Sequence, residues 1–203
     1  MNLKETYNKI AESWHQDHQT DDWWVEGTDK FISCLKPGDR VVDVGCGSGT
    51  KSKYLLKNGL KVLGIDFSEK MVEIAKKENP DADFLVMDLY HIDGLKEMYD
   101  GVFAQAVLLH VPKKDVKDAV KKLWCIIKRN GYIYVAVKEK KSEGPEEEIK
   151  VDKDYGHEYA RFFSYFTIGE VKGLIKDLGV EIVYEHVTPS GNTRWIQVIG
   201  KKV

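Results

Sequence analysis

Residues 41–49 run Val-Val-Asp-Val-Gly-Cys-Gly-Ser-Gly, an order that few backbone arrangements accommodate. Val41, Val42 and Val44 are β-branched and favour an extended strand. Gly45, Gly47 and Gly49 follow at once, as a turn requires when the chain must bend sharply and leave its backbone open to close approach. A helical pattern opens near Thr50 and runs through Tyr54, Leu55 and Leu56 to Asn58-Gly59, a good C-cap pair. Strand, glycine turn and helix in this order form the first half of a βαβ unit of the nucleotide-binding kind.

The next strand, Lys61-Val62-Leu63-Gly64-Ile65, ends in Asp66. That places a carboxylate about twenty residues after the first glycine, where such units hold ribose hydroxyls. The glycine spacing, G-x-G-x-G, departs from the dinucleotide pattern, because Thr50 stands where its last glycine belongs. No Lys-Ser/Thr follows, which excludes a P-loop. Asp43 lies two residues before the turn, so a pyrophosphate would face an acid. Two unit charges about 5 Å apart repel by roughly 3 kcal/mol at an effective dielectric near 20. A ligand carrying a sulfonium and an ammonium would instead be attracted, which favours S-adenosylmethionine over NAD.

Here the chain resembles the class I S-adenosylmethionine-dependent methyltransferases. Asp43-Val44-Gly45-Cys46-Gly47-Ser48-Gly49 is similar to their first motif and Gly64-Ile65-Asp66-Phe67-Ser68 to their second. Phe84-Leu85-Val86-Met87-Asp88-Leu89 resembles the third, and residues 102–112, with Gln105, Ala106 and His110, resemble the strand and loop beside the methionine end. The resemblance implies an α/β Rossmann-like fold with a seven-stranded, mostly parallel sheet, an antiparallel last strand and an N-terminal helical cap. It implies donor contacts from Asp43, Gly45, Cys46, Gly47, Gly49, Asp66, Phe67, Ser68, Met71, Asp88, Leu89, Gln105 and Ala106, with Asp88 near the adenine amino group. Tyr7-Asn8-Lys9-Ile10-Ala11-Glu12-Ser13-Trp14 is similar to the helix that many small-molecule members close over the donor, which brings in Tyr7 and Trp14. By spacing alone, both are equally core aromatics of an amphipathic helix.

The 203 residues, 42% hydrophobic and 32% charged, suit one globular domain, 1–203. Within it, residues 1–36 are expected as the cap, 37–139 as the cofactor-binding core, 140–166 as a substrate-side insertion, and 167–203 as a last helix and β-hairpin. A net charge of −2 gives no general pull toward nucleic acid or an anionic membrane. Cys34, Cys46 and Cys125 have no C-x-x-C spacing and suggest a reducing compartment without a metal site. The start, Met1 to Tyr7, lacks an apolar signal core, and no stretch approaches a membrane span, so a cytoplasmic protein is expected.

Strands are expected near 41–45, 61–65, 83–87, 101–107, 131–138, 180–187 and 194–200. Val116, Ala119, Val120, Leu123, Trp124 and Ile127 form one helical stripe. Thr167 and Glu170 form a capping box for another helix, closed by Gly179. Residues 138–154 are highly charged around Gly144-Pro145 and are expected as a surface loop. Trp23 and Trp24 are adjacent, so on a helix one of them is exposed or lines a pocket.

His110 follows the fourth strand, where such sheets bind ligands, and could be a substrate contact, a general base or an ordinary loop residue. No base is demanded, because aligning two reactants supplies about 7–11 kcal/mol. The aromatic stretch 155–166 resembles the family's substrate-side insertion, which makes Arg161 and Tyr165 candidates for acceptor binding, with Trp195 from the last strand. With Asn192 these residues are also similar to the tRNA wobble-uridine carboxymethyl methyltransferases, although Thr193 and Arg194 interrupt that pattern. Lys113, Lys117 and Lys121 form a basic stripe with Lys114 and Lys122 beside it, read first as a solvated face and second as an RNA contact.

The expected function is methyl transfer from S-adenosylmethionine to an O, N or C atom of a small molecule. The alternatives are a tRNA methyltransferase, acting alone or with a partner protein, and a module that senses the cofactor without chemistry. Neither the acceptor nor the oligomeric state follows from the sequence.

Overall fold

Alternation along the valine run decides the first layer of packing. In a computed structural model describing residues 2–203, Val41 and Val42 lie in the same strand but in the two separate apolar cores of the sheet. Both faces are therefore covered, which is why this strand carries apolar residues on both of its sides. Met1, the first residue of the stretch read for a leader, lies outside the described residues.

The strands are β1 (Arg40–Val44), β2 (Lys61–Asp66), β3 (Asp83–Val86), β4 (Tyr99–Gln105), β5 (Ile127–Lys138), β6 (Glu147–Asp152), β7 (Tyr159–Ser164), β8 (Val180–Ser190) and β9 (Thr193–Lys202). Seven of them form one sheet in the order β3-β2-β1-β4-β5-β9-β8. The first five are parallel, and β9 runs antiparallel to both β5 and β8, as expected. Strand order reverses between β1 and β4. Open α/β sheets bind ligands at such a point, beyond the carboxyl ends of the strands.

The helices are α1 (Leu3–Asp17), α2 (Val25–Ser33), α3 (Thr50–Lys57), α4 (Glu69–Glu78), α5 (Lys113–Cys125) and α6 (Ile168–Lys176). Phe31 of α2 and Leu55 of α3 pack with Val41, Phe103 and Tyr134 on one face of the sheet. Val116, Ala119 and Leu123 of α5 and Val171 of α6 pack with Val42, Val102 and Val135 on the other. The Thr167–Glu170 capping box is present in full, and Ser68 caps α4 by accepting from the Met71 amide. Ile10 and Ala11 are the buried face of α1, and Ala11 meets Met71 and Ile74 of α4.

Two expectations need correction. Ile127 is not on the helical stripe: α5 ends at Cys125, and Ile127 opens β5 by pairing with Tyr99. The strand then bulges at Asn130, whose φ is 63°, before resuming at Tyr132 opposite Gly101. Residues 138–154 are not all loop, because β6 pairs antiparallel with β7. The apolar alternation of that strand rests on Ile149 and Val151, both exposed, so a two-stranded ribbon among charges carries almost no burial signal.

Candidate functional site

The glycine turn has two different reasons for its glycines. Gly45 has φ +67°, and a Cβ there would lie 2.8 Å from the Cβ and Cγ2 of Val107, so the turn is pressed against the loop after β4. Gly47 has φ +54°, yet a Cβ would find nothing nearer than Trp14 at 3.5 Å. The turn forms part of the wall of a cavity of ≈ 320 Å³ at the carboxyl ends of β1, β2, β4 and β5.

Asp66, at the end of β2, shapes this turn. Its carboxylate accepts the Gly47 amide at 3.0 Å and the Ser68 amide at 2.8 Å, which ties the turn to the start of α4. Burial nevertheless pushes its pKa up to about 6, against the pull of those two amides. Asp43 is buried beneath the turn and accepts from the Ser52 hydroxyl at 2.6 Å. Desolvation pushes it up to about 7, opposed by the Ser52 bond and the Lys51 charge. A cation entering beside these two acids restores their ionised form, whereas an anion would suppress it. Ser48 Oγ and Gln105 Oε1 are buried without a hydrogen-bond partner, and both residues line the cavity. Ala106 follows Gln105 with φ 55°, a left-handed conformation that costs an alanine about 1–2 kcal/mol. The strain is held at the cavity wall.

Helix α1 roofs this half. Its Asn8 accepts from the Ser68 hydroxyl and donates to Glu69, which fastens the helix to the start of α4. Tyr7 and Trp14 consequently line the cavity, with Phe67 edge-on to Tyr7 at 5.9 Å and Met71 on the wall.

The other half is aromatic and basic. His110 stands in a chain: its Nδ1 is 2.7 Å from the Phe162 carbonyl and its Nε2 is 2.8 Å from the Tyr7 hydroxyl. A carbonyl only accepts, so Nδ1 carries the proton and Nε2 accepts from Tyr7. Desolvation lowers the imidazole pKa to about 3. Both nitrogens are engaged and the ring is neutral, with the Nε2 lone pair taken up by the Tyr7 hydroxyl. The two bonds link α1 to β7 through the imidazole.

Arg161 lines the cavity, but its guanidinium is paired with Asp152 at 2.7 Å across the β6–β7 ribbon. Its Nε is buried without a partner. Trp195 also lines the cavity, stacked on Trp23 at 3.8 Å with an interplanar angle of 7°. Trp24 is buried, so Trp23 is the member of the pair that faces the cavity.

Five expected residues are not on the cavity wall. Gly49, Ser68, Asp88, Leu89 and Tyr165 serve caps and packing instead. Gly49 lies against Ala75 and Asn79 of α4, and Ser68 is the α4 cap. Asp88 accepts from the Tyr90 amide at the start of a 3-10 turn, and Leu89 joins the main core. Tyr165 lies beyond the end of β7, where its hydroxyl donates to Glu148. Cys46 lies on the wall and is also a buried side chain, as a small apolar residue in a tight turn should be. The lysine stripe is paired: Lys113 with Glu170, Lys117 with Asp177, Lys121 with Asp118 and Lys122 with Asp93. It is the solvated face of α5.

Comparison with known proteins bears on this site. Residues 42–135 match the family described as methyltransferase domain. The demethylmenaquinone methyltransferase of Renibacterium salmoninarum is 33% identical over 100 residues, 49% of this chain and 41% of that protein. The ubiquinone biosynthesis O-methyltransferase of Coxiella burnetii is 28% identical over 131 residues, 56% of this chain and 55% of that protein. This chain thus spans about half the length of the curated relatives it matches. The magnesium protoporphyrin IX methyltransferase of Synechocystis, solved with bound S-adenosylmethionine, superposes with a TM-score of 0.75 at 19% identity. That match covers 99% of this chain and 95% of the other. The fold is therefore the Rossmann-like class I methyltransferase fold.

The family match ends at residue 135, within β5, and four wall residues that sequence reasoning missed lie beyond it. Lys138 ends β5, Phe163 lies on β7, and Ser190 and Thr193 flank the β8–β9 turn; all four line the cavity. Only Lys138 carried a signal, as the last residue of an expected parallel strand. Among the described residues, no helix is long and apolar enough to cross a membrane.

Proposed function

We propose that the protein is an S-adenosylmethionine-dependent methyltransferase that methylates an O, N or C atom of a small molecule. The observation that carries this reading is the joint character of the cavity. One half has an open glycine turn, two buried acids and the unpartnered Ser48 and Gln105 oxygens. The other half is lined by aromatic rings and cations under the roof of α1.

The residues fit the donor. Asp66 presents two carboxylate oxygens, each already accepting one backbone amide and each with a further lone pair, which suits paired ribose hydroxyls. Gly47 leaves room for close backbone approach, and Asp43 places negative charge under the turn. When bound, the donor supplies a methyl group activated on a sulfonium. The chain's own part is then alignment and exclusion of water. Tyr7 and His110 lock α1 down on the ribbon, and the buried wall excludes competing nucleophiles. The proton lost by the acceptor has no base among these locked groups, so an acceptor that is acidic or already ionised suits the site best.

Menaquinone and ubiquinone precursors are the named business of the two relatives above, and a planar small molecule is also the acceptor class that stacked Trp23 and Trp195 favour here. The paired lysine stripe offers little excess charge for RNA.

The test is incubation with methyl-labelled donor and a fractionated metabolite extract, with total tRNA in a parallel tube. Label is expected in the small-molecule fraction. Label confined to tRNA would replace this reading. Calorimetry should also show S-adenosylhomocysteine binding more tightly than NAD.

A further inference from the structure

Charge is divided across the cavity. Asp43 and Asp66 lie at the ends of β1 and β2, with Lys51 set close to Asp43 and Asp21. Lys138 ends β5, three strand spacings from β2, which is about 14 Å away. Near it stands Arg161, so the acidic end of the cavity faces a basic one.

The two cations of the basic end are not equivalent. Arg161 is paired with Asp152 at 2.7 Å. Lys138 has no carboxylate within 4.0 Å among the described residues, whereas its neighbour Lys140 is paired with Glu146. The Lys138 ammonium instead stands over aromatic rings, 4.1 Å from the centre of Phe163 and 5.7 Å from that of Trp195. Its position is fixed by sheet register, because Lys138 is the cross-strand partner of Trp195, and Trp195 is stacked on Trp23. The result is an ammonium held at the edge of an aromatic wall, inside a cavity, beside a second cation.

We propose that Lys138 is the anion-binding residue of the acceptor half, and that the acceptor is a planar aromatic molecule carrying a carboxylate. The carboxylate would meet Lys138 Nζ while the ring lies along the Phe163 and Trp195 faces; the unpartnered Arg161 Nε offers a second donor nearby. Desolvation and the Arg161 and Lys150 charges together lower the Lys138 pKa to about 8, a penalty that a bound anion relieves. The assignment rests on the methyltransferase reading only in naming the ligand as the acceptor.

The test uses the whole chain, with and without saturating S-adenosylhomocysteine, titrated calorimetrically with benzoate, 1-naphthoate and indole-3-carboxylate and with the matching neutral amides. Each carboxylate is expected to bind at least about tenfold more tightly than its amide, as one charge-assisted hydrogen bond implies. Lys138→Met and Lys138→Gln should erase that preference while the affinity for S-adenosylhomocysteine stays within about twofold. The wild-type comparison does not depend on either variant folding. Equal affinity of acids and amides in the wild type overturns the proposal, and so does a preference that survives both variants. Failure to bind S-adenosylhomocysteine, with the acid preference intact, would instead remove the methyltransferase reading and leave the anion site standing.

Discussion

Replacing Gly45 and Gly47 singly by alanine should separate folding from ligand binding within one turn. Both residues have positive φ, so each alanine pays for a left-handed backbone, about 1–2 kcal/mol. Each also gains about 0.4–1 kcal/mol because the unfolded chain loses freedom. The difference lies in the surroundings. At Gly45 the new methyl would sit 2.8 Å from Val107, and overpacking of that kind adds about 1–3 kcal/mol. At Gly47 the nearest atom is 3.5 Å away, which is ordinary contact. Gly45→Ala should therefore lose about 2–4 kcal/mol, and Gly47→Ala about 1 kcal/mol or less. For a chain of this length those losses correspond to Tm falls of roughly 5–15 °C and no more than about 4 °C. The binding order should be the reverse in kind: the Gly47 methyl occupies space on the cavity wall and should weaken S-adenosylhomocysteine at least about tenfold, or about 1.4 kcal/mol. Thermal melting and calorimetry on the same preparations measure both. Equal Tm losses, or Gly47→Ala binding as tightly as wild type, would refute the reasoning.

Asp66→Ala should weaken S-adenosylhomocysteine at least about tenfold, from the loss of charge-assisted bonds of about 1.5–3 kcal/mol each, in a protein that calorimetry finds folded; unchanged affinity would remove Asp66 from the site. His110 should stay neutral through its ordinary midpoint of about 6.5, because desolvation lowers it to about 3. An imidazole NMR titration with a midpoint near the ordinary value would show that the Tyr7–His110–Phe162 chain is open in solution. Asp43 has its folded pKa raised to about 7, so the native state binds more protons than the unfolded chain between about pH 4 and 7, and stability falls as pH rises through that window. Asp43→Asn keeps an acceptor for Ser52 and should flatten that fall, by up to about 4 kcal/mol in urea unfolding at the alkaline end; an unchanged slope would contradict it. Lys138 faces Arg161, Lys150, Asp152 and Glu148, and an anion binds its protonated form, so the KM of an anionic acceptor should rise as pH passes about 8. A KM flat across that range would argue that Lys138 does not contact the acceptor.

What the sequence determined by itself is local or periodic. The Val41–Val44 run, the glycine turn and the acid ending the next strand are consecutive or nearly so, and their order alone implies a parallel βαβ unit with a carboxylate beside the turn. The capping box at Thr167 was legible for the same reason, because a cap is written within four residues. Sequence could not say how long-range pairings would distribute charge. Arg161 looked like a residue for acceptor binding, yet the β6–β7 register brings Asp152 close enough to pair with it. Lys138 looked like the first charge of a surface loop, yet its pairing with Trp195 on β9 carries it into the cavity. His110 looked free to act as a base until Tyr7, more than a hundred residues earlier, and the Phe162 carbonyl engaged both its nitrogens. The Lys138 and His110 outcomes depend on partners far apart in the chain, which only the assembled sheet and the roof of α1 bring together, and the Arg161 outcome depends on the register of the β6–β7 ribbon. The nucleotide turn was written in the sequence; the electrostatics of the acceptor half were decided by tertiary structure, because desolvation and pairing are properties of surroundings that no local segment contains.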